Sequence, residues 1–264
     1  MPASLTKIMI ISHKYRYIFI ELPHTASTAI SSELCEFYDG QEILHKHAHY
    51  HEFLESSLKQ EQDYFIFAGI RNPLDVITTL YFKRKTNHQN FYTTPEHWRR
   101  NGGHVSNQAL KEFRFISEND ASFSDYLTNF YRIPYDSWGS PRPENFDFVI
   151  RFENLQSDFS MLLDLLSIEQ LRPLPTRNKT SQKTKNFMDY YSPDTYDHVC
   201  SIFGPYMKIW EYKIPANWGD CQPNFVNNFY FNLLTSVRQQ LVWGSSPFAK
   251  LFQNFRAKSL LATQ

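Results

Sequence analysis

Three short apolar runs, each followed at once by a turn and a helix-like stretch, set the frame of this chain. Tyr17-Ile-Phe-Ile-Glu-Leu22 is β-branched and aromatic and has strand length. It gives way to Pro23-His-Thr-Ala-Ser-Thr-Ala-Ile30 and then to a segment of helical character from Ser31 to Tyr38. Tyr64-Phe-Ile-Phe-Ala-Gly-Ile70 repeats the logic. Arg71-Asn-Pro-Leu-Asp75 opens a helix that runs through Tyr81 to Lys85, with proline near its start. A third strand is predicted at Phe146-Asp-Phe-Val-Ile-Arg-Phe152, with a helix over Asp158 to Ile168. Strands that are apolar throughout, alternating with helices, indicate an α/β domain whose mostly parallel central sheet is covered on both faces. In such sheets ligands sit beyond the carboxyl ends of the strands, where Pro23, Arg71 and Arg151 all fall.

The rest of the chain is less regular. Residues 86–145 are rich in Asn, Ser, Pro and Gly and are predicted as a long insertion with two short helices. From residue 224 onward a tail rich in Asn, Phe and Leu ends in the basic amphipathic stretch Phe248 to Leu261. It reads as a helical extension that packs on the domain, on a second copy of the chain in a homo-oligomer, or on a membrane surface. The expected division is therefore one domain over residues 1–223 and a C-terminal extension over 224–264.

Composition narrows the function classes. Lys plus Arg number 27, as do Asp plus Glu, so no global field attracts nucleic acid, and any anion site has to be built locally. No run of about 18 apolar residues predicts a transmembrane helix, and the first residues lack the layout of a signal peptide. Cys35, Cys200 and Cys221 are odd in number and widely spaced, which argues against a disulfide framework and for a reducing, cytoplasmic setting.

The chemistry gathers at the strand ends. A loop passing from strand into helix offers unpaired N–H groups and the positive end of a helix dipole to a phosphate, and Thr25, Ser27 and Thr28 add hydroxyls. An ordinary Ser/Thr N-cap would read the same way. Arg71 can hold a phosphate bidentately, with Thr79, eight residues on, facing the same crevice. A structural ion pair with Asp75 is the alternative. His45-Lys46-His47-Ala48-His49-Tyr50-His51 supplies neither an HExxH pattern nor a fourth ligand, so no metal is expected. A P-loop kinase is disfavoured because GxxxxGK[ST] is absent.

These residues resemble those of the sulfotransferases. The strand with Pro23, His24, Thr25, Ala26, Ser27 and Thr28 is similar to the family's 5′-phosphosulfate loop, and Arg71-Asn72-Pro73 with Thr79 and Tyr81 to its 3′-phosphate motif. Lys46-His47-Ala48, Arg151-Phe-Glu-Asn-Leu155, Asn178-Lys-Thr180, Tyr190 with Tyr191, and Trp210-Glu-Tyr212 follow in the order of carbohydrate-type and bacterial members, over roughly residues 15–215. The resemblance implies a P-loop-like fold and 3′-phosphoadenosine 5′-phosphosulfate (PAPS) as co-substrate, without a metal. It also implies a hydroxyl acceptor, a saccharide in the matching subfamilies, with His47 as the base and Lys46 beside an anion. Glu52 and Glu153 are weaker candidates for the base, Arg151 with Glu153 is expected as a structural pair, and Lys179, Lys183 and Lys185 are candidates to close over the nucleotide. The chain departs from the pattern at His24, where the family has Lys, at Ala26, usually Gly, and at Thr79, usually Ser. Loss of the Lys leaves open a second reading, a weak or inactive relative that binds nucleotide or glycan.

Overall fold

The computed structural model describes residues 7–45, 50–94, 105–137, 141–175, 180, 182–219 and 221–242. A five-stranded sheet forms its centre, built from β1 (Lys7–Ser12), β2 (Tyr17–Ile20), β3 (Gln41–His45), β4 (Phe65–Ile70) and β5 (Phe148–Arg151). Its order is β3-β1-β2-β4-β5. β2 pairs with β4 and β4 with β5 in parallel, while β1 runs antiparallel to both of its neighbours. Four strands thus share one direction and β1 alone is reversed, so the sheet is mostly parallel as expected. β1 is the strand-like segment that the chain enters within a few residues of Lys7, and β3 was not foreseen. Both lie on the side away from the predicted units, and β3 is an edge strand with polar Gln41, Glu42 and His45.

Alternation assigns the two faces. Ile10, Tyr17, Phe19, Phe67 and Ile150 point to one side, where α1 (Ser27–Phe37) and α6 (Leu155–Leu165) cover them with Ile30, Leu34, Phe159 and Leu162. Met9, Ile11, Ile18, Ile20, Ala68 and Ile70 point to the other, against Phe53 of α2 (Tyr50–Ser56), Tyr206 and Trp210 around the end of α7 (Tyr196–Ile209), and Phe231 of α8 (Phe225–Val242). Burial of this kind contributes about 1.5–3 kcal/mol per large apolar side chain.

α3 (Pro73–Lys85) begins where β4 ends. Pro73 occupies its first turn, the Asn72 side chain accepts from Leu74 N–H at 2.9 Å, and Lys83, Arg84 and Lys85 crowd its last turn, where the dipole favours cations. Among the described residues the insertion carries two α-helices, as expected, α4 (Asn107–Asn119) and α5 (Phe123–Phe130). They pack with α3 and α7 into a second core around Tyr81, Ile116, Tyr126 and Phe203. Within it Arg84 reaches the Glu112 carboxylate at 2.7 Å, and Tyr126 donates to the same carboxylate at 2.9 Å.

The cysteines correct the sequence reading. Cys200 of α7 and Cys221 form a disulfide across 21 residues, with α-carbons 5.8 Å apart. Spacing could not reveal it, because the approach is made by tertiary packing. The Pro223 ring lies where a side chain on Gly204 would begin, and Tyr196 stacks on Trp218 at 4.3 Å. Cys35 is free, and burial, with Glu42 and Glu21 nearby, pushes its thiol up to about 11. Among the described residues no helix is long and apolar enough to cross a membrane.

Thiol titration with a chromogenic disulfide reagent checks the pairing. The native protein should react almost not at all, the unfolded unreduced protein at one thiol, and the reduced unfolded protein at three. Cys200→Ser should lower stability by about 3 kcal/mol, the chain-entropy value for a loop of this size. Three reactive thiols without reductant would refute the pairing.

Candidate functional site

The chain leaves β2 toward α1 and β3 on one side of the sheet, and leaves β4 toward α3 on the other. The crevice between the carboxyl ends of β2 and β4 is therefore the topological switch point at which open α/β sheets hold ligands. Residues 21–26 line one wall. His24 and Ala26 both adopt left-handed backbone, with φ 68° and 63°. Alternation of such residues with ordinary ones turns successive N–H groups toward one point and makes an anion nest. Ala26 also caps α1, and no side chain caps that end. The ordinary Ser/Thr cap is therefore not what is built here.

The hydroxyls divide in role. Thr25 is buried and donates to the Leu22 carbonyl at 2.8 Å, so it stiffens the turn. Ser27 is also buried, and only Thr28 is exposed. Beneath the turn Ser31 makes a short hydrogen bond to buried Glu21. A β-carbon added at Gly69 of β4 would lie 2.9 Å from both the carbonyl and the hydroxyl oxygen of Thr25. Glycine here lets the turn settle onto the strand.

Arg71 forms the other wall. Its Nε meets Asp75 at 2.8 Å, Nη2 donates to Thr79 at 2.9 Å, and Nη1 donates to the His24 carbonyl at 3.2 Å. The guanidinium lies 3.9 Å from the centre of the Phe152 ring. Arg71 thus makes the ion pair with Asp75 and lies in the same crevice as Thr79 and the turn. Lys183 joins them from 104 residues beyond Thr79, donating to its hydroxyl at 3.2 Å and pairing closely with Asp75.

Asp75 therefore carries two cations. Lys83, one helical turn beyond Thr79, adds a third basic group that sequence reasoning missed; its spacing from Asp75 and Thr79 by fours was the available signal. Burial lowers the pKa of Lys83 and, after it, Arg71 and Arg84 lower it further. Lys183 is lowered too, by burial first, with Arg71 opposing its charge and Asp75 favouring it.

The remaining candidates scatter. Glu153 accepts from the Asn72 N–H at 2.6 Å and the Tyr212 hydroxyl at 3.2 Å, while Arg151 lies 5.0 Å from the centre of the Tyr212 ring. Glu153 thus braces the start of α3, and the expected pairing with Arg151 gives way to this brace. Lys185 is exposed. Lys46, His47 and Lys179 lie outside the described residues, and so do the side chains of His51 and Glu52. A cavity of about 190 Å³ opens beside the turn, bounded by His24, Ile77, Leu80, Tyr135, Asp136 and Tyr206 among others. A larger open depression of about 560 Å³ at Leu58, Lys59, Gln60 and Asp63 lies on one surface turn and gathers no convergent chemistry.

The model of the sulfotransferase family matches residues 7–213, which include both walls of the crevice. The chain belongs to the sulfotransferase family. Among solved structures this sulfotransferase is similar to mouse sulfotransferase SULT7A1 complexed with PAP, with 11% identity over 92% of this chain and 90% of that one. The TM-score is 0.33, a distant likeness from which we take nothing further. No curated protein matches the sequence.

Two substitutions in this sulfotransferase should move stability in opposite directions. Ala26→Gly relieves a left-handed alanine and should stabilise by about 1 kcal/mol. Gly69→Ala forces a β-carbon into Thr25 and should cost about 1–3 kcal/mol. Denaturant unfolding reads both, and a destabilised Ala26→Gly would show that the turn is not held as described.

Proposed function

We propose that this sulfotransferase moves a sulfuryl group from PAPS to a hydroxyl of a saccharide acceptor by in-line displacement. The observation that carries this reading is the pairing of two anion-binding walls at the ends of adjacent parallel strands, the 23–28 turn and the Arg71, Thr79 and Lys183 cluster. A donor with separated 5′ and 3′ phosphates matches two walls; a mononucleotide would need one. The turn faces the 5′-phosphosulfate. Arg71, Thr79 and Lys183 face the 3′-phosphate, and Asp75 serves as their counter-ion until that phosphate arrives.

The acceptor oxygen forms a bond to sulfur as the bond from sulfur to the bridging oxygen breaks, and the electron pair leaves on the 5′-phosphate. The hydroxyl proton goes to a base, for which we retain His47, with Lys46 beside the departing charge. His24 stands where the family has Lys and is the group in the turn able to donate toward the bridging oxygen. Its left-handed backbone, like that of Ala26, makes this turn unlike one built with Lys and Gly. That observation favours a second reading, in which the chain binds the nucleotide or a glycan and transfers weakly or not at all.

The setting is also revised. The cysteine-based reason for a reducing cytoplasm is gone, since two of the three pair, and disulfides persist in oxidising compartments. For the homo-oligomer expected from the tail, the face to examine is the exposed row Phe225, Phe229, Leu233 and Val237 on α8.

Titration calorimetry with adenosine 3′,5′-bisphosphate tests the donor site. Arg71→Ala and Lys183→Ala should each weaken binding about 10- to 100-fold, the value of one charged hydrogen bond. Undiminished binding by Arg71→Ala would sink the assignment. Transfer from labelled PAPS decides between the two readings. His24→Lys should leave the turnover of an enzyme adapted to histidine within about threefold, whereas a gain of about 10²–10³ would mark the native chain as catalytically impaired.

A further inference from the structure

The cavity beside the turn has a definite chemical character. At about 190 Å³ it exceeds the roughly 150 Å³ in which an apolar site holds a benzene ring, so it accommodates one six-membered ring and not two. Aliphatic side chains of α3 form one side and the rings of Tyr135 and Tyr206 form the other. Those rings are fixed. Tyr135 packs on Phe203 at 5.0 Å and edge-on to Tyr206 at 5.2 Å, and its N–H donates to the Ile202 carbonyl at 2.8 Å. Burial raises both phenols far above their ordinary range, so neither contributes a negative charge at neutral pH.

The charged groups are equally informative. Asp136 lines the cavity with its side chain only 3% exposed, and Arg238 of α8 donates to it at 2.8 Å. Arg71 is the cavity's one permanently charged cation among the described residues, and Asp75 already engages it. An acceptor bearing a carboxylate or sulfate would bring its charge beside the Asp136 carboxylate while both nearby cations, Arg238 on Asp136 and Arg71 on Asp75, are already engaged. A neutral polyhydroxylated ring meets no such conflict. The slightly positive C–H bonds on its face settle on an aromatic ring, and its hydroxyls donate to a carboxylate, whose two oxygens accept several hydrogen bonds.

Resting on the sulfuryl-transfer reading, we propose that this cavity receives a single uncharged sugar ring, the end of a neutral glycan or a simple glycoside, with Asp136 accepting from its hydroxyls. Arg238 is then a positioning residue, because it acts through Asp136. His24 and Thr25 also line the cavity, so a hydroxyl on the bound ring faces the turn that would hold the sulfuryl group.

The test uses the full chain and labelled PAPS with neutral methyl hexosides, the corresponding uronates and 6-sulfates, and simple phenols. Neutral glycosides should exceed the charged rings at least about 10-fold in kcat/KM. Asp136→Asn should raise KM for the neutral ring about 10-fold, shrink the discrimination and leave bisphosphate affinity unchanged. Arg238→Gln, on a half-exposed side chain, should raise KM about fivefold, with rescue by Arg238→Lys. Preference for uronate, sulfated ring or phenol would overturn the proposal, as would discrimination unchanged in Asp136→Asn. Saturation-transfer NMR with adenosine 3′,5′-bisphosphate present reads the cavity without turnover. Binding of neutral glycosides alone, even with no transfer, supports the cavity assignment while sinking the enzyme reading. Failure of every glycoside to bind beside a bound bisphosphate overturns the cavity assignment itself.

Discussion

Arg71 holds one positive charge at the point where three parts of the chain meet. Its planar fork reaches the carbonyl of the turn after β2, the carboxylate and hydroxyl one and two turns into α3, and the face of Phe152 beyond β5. A guanidinium does this because its donors lie in one plane and its face is weakly hydrated; a lysine would deliver a point charge to one of these partners. Asp75 is shared with Lys183, and Lys83 stands close by, so this corner carries more positive than negative charge before any ligand arrives. Burial is the first cause of the lowered pKa of both lysines, and the Arg71 charge lowers each of them further. The 3′-phosphate that we propose for this corner would remove the excess.

The opposite wall depends on backbone geometry. The parallel register that sets Ile20 beside Ala68 brings the next residues of β2 over Gly69, and the missing side chain there lets Thr25 descend. Two left-handed residues then turn the chain sharply into α1. Strain of about 1–2 kcal/mol at each is sustained by what surrounds it, namely the Thr25 bond to Leu22, the Arg71 bond to the His24 carbonyl and the core beneath Ile30. The two walls are therefore mutually dependent: Arg71 braces the turn and the turn fixes the orientation of Arg71.

Local pattern made part of this legible. Continuous apolar runs mark β2, β4 and β5, and the eight-residue step from Arg71 to Thr79 points both toward one crevice. The helix after the turn begins at Ser27, earlier than the expected Ser31, because Ala26 starts it with a conformation that alanine seldom adopts. β3 was missed because a short edge strand with Gln41, Glu42 and His45 carries little of the unbroken apolar signal, which β1 does carry in Ile8-Met9-Ile10-Ile11. Lys183 was one of three lysines in a loop, and only tertiary packing selects it. The Cys200–Cys221 bond is likewise a product of docking, as Trp218 stacks on Tyr196 and Pro223 fits against Gly204.

The tail shows most directly how much depends on tertiary placement. Read along the chain, residues from 224 onward form an extension with no chemistry of its own. In the fold Phe231 of α8 enters the core against the β2 side of the sheet, and seven residues later Arg238 meets Asp136 at the cavity wall. Two helical turns separate those contacts, so burial of Phe231 fixes the depth at which Arg238 arrives. The disulfide bond just before the helix shortens the free path between α7 and α8, and α7 supplies Tyr206 to the same cavity. The side of the crevice that we propose for the acceptor is thus built from α3, the segment after α5, and α7 tied to α8. The side that we propose for the donor is built from the turn after β2, Arg71 after β4, α3 and Lys183. α3 serves both, carrying Asp75 and Thr79 toward one wall and Ile77 and Leu80 toward the other, and the turn with His24 and the Arg71 side chain border the cavity as well.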